Sequence, residues 1–144
     1  MIDGGLRQLF HKRREFYDFH WQAIETGCVG SGVPDSNYCC HASFSPLGKG
    51  IEGWIEFKKI SRGHIVSVRK EQVAWIEKGL RFGRRIHIAV RDIRDVHEDV
   101  LLIYPGSSIR ALKTGRFLDA SPALITGGGP SRWDWSAVRA LLVE

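Results

Sequence analysis

Ten residues, Ile51 to Ile60, alternate in the way a β-strand requires. Side chains two apart in a strand share a face. Ile55, Phe57 and Lys59 therefore fall on one face, and Trp54, Glu56 and Lys58 on the other. The period of two brings Glu56 and Lys58 side by side. Upstream, Gly30-Ser31-Gly32-Val33-Pro34-Asp35 leads into a second strand-like run, Ser36 to Phe44. Pro34 biases Val33 toward extended backbone and sets the angle at which Asp35 enters that strand. Pro46, Gly48 and Gly50 mark Ser45 to Gly50 as the loop between the two strands. A hairpin results, with an acid at the mouth of one strand and Glu-x-Lys inside the other.

Cys28 to Gly32 is glycine-rich, but it is not a nucleotide loop. A phosphate-cradling loop must open into a helix, and here Pro34, Asp35 and a strand follow. Gly30 and Gly32 instead allow a backbone, or a strand of DNA, to come close beside Asp35.

Around the hairpin the pattern predicts a helix over Leu6 to Glu25, with Gly27 as its stop. A helix over Arg69 to Leu80 is expected, with Ser67 as its N-cap. Short strands follow over Ile86 to Arg91 and Val100 to Tyr104. Ser107 to Arg116 reads as a short helix. Gly127-Gly128-Gly129-Pro130 reads as a flexible break. Ser131-x-x-Asp134 reads as the capping box of a last helix, Arg132 to Leu142. This order predicts an α/β domain with a mixed sheet and helices packed on it.

A chain of 144 residues is expected to form one domain, 1–144, able to bury a core without disulfides. Three cysteines, two of them adjacent at Cys39 and Cys40, make no disulfide framework, so free thiols are expected. Cys39-Cys40-His41 lacks a second ligand pair at finger-like spacing, which argues against zinc. No apolar run approaches the roughly 18 residues that span a membrane, and no signal-peptide pattern opens the chain. A soluble protein of the cytoplasm is expected. The formal net charge is +5, and from Lys58 to Arg94 there are 11 Lys and Arg against Glu71, Glu77 and Asp92. Such a concentration is the electrostatic footprint of a phosphate-bearing partner.

Mg²⁺ takes oxygen ligands, often one or two carboxylates completed by water and phosphate oxygens. Asp35 and Glu56 supply two carboxylates from neighbouring strands, and the carbonyl of Phe57 adds a third oxygen. Lys58 lies where it can orient a water or offset charge in a phosphoryl transition state. Gly32-Val33-Pro34-Asp35, Trp54-Ile55-Glu56-Phe57-Lys58 and Arg69-Lys70-Glu71-Gln72-Val73-Ala74-Trp75 together resemble the PD-(D/E)XK nuclease superfamily. The likeness is nearest to its VRR-NUC and Holliday-junction-resolvase-like branches, which include small phage-encoded members. It spans roughly Trp21 to Tyr104.

The resemblance implies a restriction-endonuclease-like αβββαβ core within about 6–104, with 105–144 as a C-terminal extension. It implies a Mg²⁺-dependent DNA endonuclease (Mn²⁺ substituting) acting on branched, junction or nicked DNA. Asp35 and Glu56 become metal ligands, Lys58 the catalytic lysine, and Gln72 the glutamine of the following helix. Family members often add an acid from the first helix; Glu25 is preferred over Glu15 for its nearness to the glycine turn. A homodimer is also implied, with the aromatic first helix or the tryptophans of the last helix as its interface. The alternative is a catalytically inactive DNA-binding or virion-associated protein of the same fold.

Overall fold

The structure, a computed structural model, describes residues 3–24, 32–41 and 50–144. These residues build a six-stranded sheet whose strands lie side by side in chain order. They are β1 (Phe19–Ala23), β2 (Ser36–Cys40), β3 (Ile51–Ile60), β4 (Ile86–Asp92), β5 (Val100–Pro105) and β6 (Leu124–Thr126). Neighbours are antiparallel except β3 and β4, which are parallel. A parallel pair needs a crossover, and α2 (Lys70–Arg81) provides it. The chain is thus α/β with a mixed central sheet, as expected.

Period-two alternation divides the interior into two cores. Tyr38, Ile55, Phe57, Ala89, Leu101 and Ile103 meet α1 (Leu6–Lys12) and α4 (Trp135–Val143) on one face. Ile60, Ile86, Ile88, Val90, Leu102 and Tyr104 meet α2 and α3 (Ile109–Thr114) on the other. The C-terminal extension belongs to both cores. It also closes the sheet with β6, a strand the sequence pattern did not mark. Among the described residues no helix is long and apolar enough to cross a membrane.

Several expectations need correction. The first helix ends at Lys12, because Arg13 turns to extended backbone. Phe19 to Ala23 is instead β1, paired residue for residue with β2. A short aromatic run satisfies both periods, and the ladder partner decides between them. Tyr17, within the expected helix, is 80% exposed. Phe10, Phe16, Trp133 and Trp135 are all buried within the chain, so these rings do not supply a symmetric interface. β2 stops at Cys40, and residues 42–49, including Phe44 and most of the loop, lie outside the described residues. So do Gly27, Cys28 and Gly30.

The caps also differ. Arg69, not Ser67, holds the N-cap position of α2. Asp134 caps α4 itself by accepting from Ala137 N at 3.0 Å, so Ser131 is not the cap. The Gly127–Pro130 segment is a pinned turn rather than a flexible break. Gly128 N donates to the Glu98 carbonyl and Gly129 N to that of Asp99.

The two ends of the chain are joined through the sheet. Tyr38 Oη donates to the Leu142 carbonyl at 2.6 Å in a buried contact. Opposite Tyr38 on β3 stands Gly53, where any Cβ would overlap the tyrosine ring. Tyr38→Phe is expected to lower unfolding stability by about 1–2 kcal/mol, the cost of leaving a buried carbonyl unpaired. Urea denaturation of the two proteins checks it.

Candidate functional site

β3 changes partners along its length. Ile51 to Ile55 pair with β2, whereas Trp54 to Ile60 pair with β4. β2 begins at Ser36, opposite Ile55, so Glu56 to Lys58 run past its end. Asp35 occupies the notch this leaves. Its Oδ2 accepts from Phe57 N at 2.9 Å, where a continuing β2 would have placed a carbonyl. Its own carbonyl accepts from Ile24 N at 2.8 Å. Main chain and side chain together fix this acid against β3.

The same alternation orients the backbone of Phe57. Trp54 N donates to the Arg85 carbonyl and Ile60 O accepts from Ile93 N, so the even residues bond toward β4. In a strand the next residues point the other way. Phe57 therefore turns both its N–H and its C=O toward Asp35.

Glu56 is 2% exposed. Gln72 Nε2 donates to its Oε2 at 2.8 Å, and Lys58 Nζ lies 3.7 Å from the same oxygen. Its Oε1 is buried with no hydrogen-bond partner. Burial, and then the neighbouring charge of Asp35, push the Glu56 carboxyl up to about 8 against the opposing pull of Lys58.

Gln72 is the junction of this network. Its Oε1 accepts from Lys58 Nζ at 3.1 Å and from Arg69 N at 3.0 Å. Both partners are donors, which leaves the amide nitrogen to face the carboxylate. One side chain thus caps the start of α2, holds Lys58 and supports Glu56. Gly32 brings that helix close. Its φ is +70°, and a Cβ there would overlap the Glu71 carbonyl. The close approach expected beside Asp35 is therefore made by the first turn of α2.

Asp35, Glu56, Phe57, Lys58 and Gln72 line one cavity of about 570 Å³. Asp3, Arg7, Lys59, Ser67 and Arg69 line it too, and none of these was expected from the sequence as a site residue. Asp3 ahead of two glycines and a helix was a readable cap signal; its carboxylate accepts from Gly5 N at 2.9 Å and Arg7 N at 3.2 Å. The place of Arg7 comes from α1 packing beside β3, which no local pattern encodes. Glu15 does not line the cavity and pairs with Arg13 at 3.0 Å. Glu25 lies outside the described residues. Cys40 is buried in the core while Cys39, on the opposite face, is part-exposed; both are free thiols.

Among the described residues no group of three or more His, Cys, Asp and Glu gathers at one point. What gathers is an all-oxygen set: two carboxylates, one oxygen of which is orphaned, and a carbonyl facing the same notch. Hard divalent cations take such sets with as few as one or two carboxylates.

A carboxyl raised in the folded state binds more protons there than in the unfolded chain. Without divalent cations, the contribution of Glu56 to stability is therefore present below about pH 4.5 and falls as pH rises toward about 8. Glu56→Gln is expected to flatten this part of the melting-temperature profile in EDTA and to be more stable than wild type at pH 8. Comparison with protein-family models, with curated proteins and with solved structures finds no match for this chain.

Proposed function

We propose that this protein is a Mg²⁺-dependent DNA endonuclease that hydrolyses phosphodiester bonds in the cavity at the end of β2. The observation that carries the reading is the buried Glu56 beside Asp35, with one carboxylate oxygen unpartnered and a lysine within 4 Å. Two acids brought together at one notch, one of them buried, make a seat for a cation. The fold reading has separate support. The order α1-β1-β2-β3-α2-β4, with an antiparallel three-strand meander and a helical crossover to a parallel fourth strand, agrees with the αβββαβ order that the restriction-endonuclease-like reading expects.

The residues fit the ion. Asp35, Glu56 and the Phe57 carbonyl would hold it, and Mn²⁺ would substitute. When bound, Mg²⁺ supplies polarisation of the scissile phosphate and a lowered pKa for water. The remaining work belongs to side chains. Lys58, held by Gln72, stands beside the carboxylates, where its ammonium can orient the attacking water and offset charge on the pentavalent phosphorus. Gln72 positions both Lys58 and Glu56. Arg7, Lys59 and Arg69 line the same cavity and favour entry of a phosphate chain. The reading extends to branched, junction or nicked DNA as substrate and to a homodimer acting on two strands.

The experiment is cleavage of labelled junction, flap, nicked, single-stranded and duplex DNA by wild type and variants, with Mg²⁺ and with EDTA. Wild type is expected to cut only with metal. Asp35→Ala and Glu56→Ala are expected to abolish cutting while the proteins stay folded by circular dichroism. Lys58→Ala is expected to cut on the order of 10²–10³-fold more slowly and to keep the thermal shift that Mg²⁺ gives wild type. Intact DNA in both Mg²⁺ and Mn²⁺ throughout the panel contradicts the reading. Binding without cutting points to the inactive DNA-binding alternative.

A further inference from the structure

The basic stretch behind the hairpin does not act as one surface. Arg91 is bound by both oxygens of Asp99 and by the Gly4 carbonyl. Arg94 is bound by Asp92. Arg85 donates to the carbonyls of Glu52 and Glu144, and Arg84 lies over the rings of Trp54 and Trp75. These four arginines are engaged by partners within the chain. A different set of cations converges where α2 meets α3.

A second cavity of about 430 Å³ runs between these two helices. Lys70, Lys78 and Arg81 line it from α2, and Arg110 and Lys113 from α3. Glu77 is the one acid among the described lining residues, and small Ala74 and Val73 line it as well. At about 100° per residue, Lys70, Ala74, Glu77, Lys78 and Arg81 share one stripe of α2. At about 1.5 Å per residue that stripe is roughly 16 Å long, enough for more than one phosphate of an extended strand.

Two contacts set the cations in place. Glu77 holds the Arg110 guanidinium through both oxygens, at 2.6 and 3.0 Å. The arginine side chain is still 67% exposed, and so exposed a pair exchanges readily for another anion. Lys113 Nζ donates to the Val68 carbonyl at 2.9 Å, which brings this lysine from the C-terminal extension to the entrance of α2. There the two cavities adjoin in sequence: Arg69 lines the carboxylate cavity and Lys70 the basic groove.

We propose that the α2–α3 groove is a second phosphate-binding site, which grips the DNA strand as it leaves the carboxylate cavity over Arg69 and Lys70. The proposal rests on the endonuclease reading for what happens in the first cavity, and on charge complementarity and adjacency for the groove. It gives the extension a function. α3 supplies two of the five cations, and the groove holds phosphates beyond the one being cut.

The test uses the full chain and the triple variant Lys78→Glu, Arg81→Glu, Lys113→Glu. Three readouts are taken: DNA affinity in EDTA across salt concentrations, cleavage of long DNA, and cleavage of bis-p-nitrophenyl phosphate, which is too small to reach the groove. Loss of phosphate contacts is expected to weaken DNA binding at least tenfold at about 0.1 M salt and to lower the salt slope by about 2 to 3. Long-DNA cleavage at limiting DNA is expected to fall in step, while the small ester is hydrolysed at the wild-type rate. Glu77→Gln, which removes the one acid among the described lining residues, is expected to tighten binding. Wild-type DNA affinity and salt slope in the triple variant overturn the groove, even if DNA is cut normally. Failure of the endonuclease reading looks different: neither substrate is cut, yet the EDTA binding comparison still decides the groove.

Discussion

Glu56 is almost wholly removed from water, with Asp35 beside it, the charges of Lys58 and Arg69 opposing that pair and Gln72 donating a hydrogen bond. A carboxylate in that position is costly without pairing, and much of the surrounding architecture serves to manage it. β3 must run past the end of β2 to open the notch. Asp35 must be pinned to Phe57 N to stand in it. α2 must begin with Gln72 at its third residue, so that one amide spans Arg69, Lys58 and Glu56. Gly32 must lack a side chain so that the first turn of α2 can lie against the segment entering Asp35. Each arrangement is local, but all converge on one carboxylate.

The rest of the fold makes this convergence rigid. The sheet is covered on both faces, and β3, at its centre, is bound on one side early and on the other side late. The partner exchange leaves the Glu-x-Lys pair at an edge that is open yet lies inside the sheet. The C-terminal extension matters here. α4 closes the core behind Ile55 and Phe57, and Tyr38 bonds to its last turn. α3 packs against the face that carries Gln72. A phosphate groove along α2 and α3 would thus be built on the same helix that carries Gln72, so the groove and the carboxylate cavity would share one support.

What was legible in the sequence follows from how local each signal is. β3 was readable end to end because its alternation is intrinsic and long. Asp35, Glu56 and Lys58 were readable as neighbours because the hairpin and the strand period place them without reference to distant residues, whereas Gln72 entered only through the resemblance. β1 was misread as helix because Tyr17, Trp21 and Ile24 fall at helical spacing while Phe19 and Trp21 fall at strand spacing, and only pairing with β2 selects the strand. The cap of α2 was misplaced because Gln72 fills it from inside the helix, whereas the pattern rule looks for a Ser or Thr before it. Arg7 and Lys113 reach their cavities through packing between elements far apart in the chain, which leaves no mark on either neighbourhood.

The most direct measurement is the titration of the Glu56 carboxyl by NMR on carboxyl-labelled protein, first in EDTA and then with Mg²⁺. The account predicts a midpoint near 8 without metal and a fall to well below neutral pH when Mg²⁺ is added, because a cation between the two acids favours both charges. A midpoint in the ordinary carboxylate range without metal, or a raised midpoint that Mg²⁺ leaves unmoved, contradicts the claim that this buried pair is a cation seat.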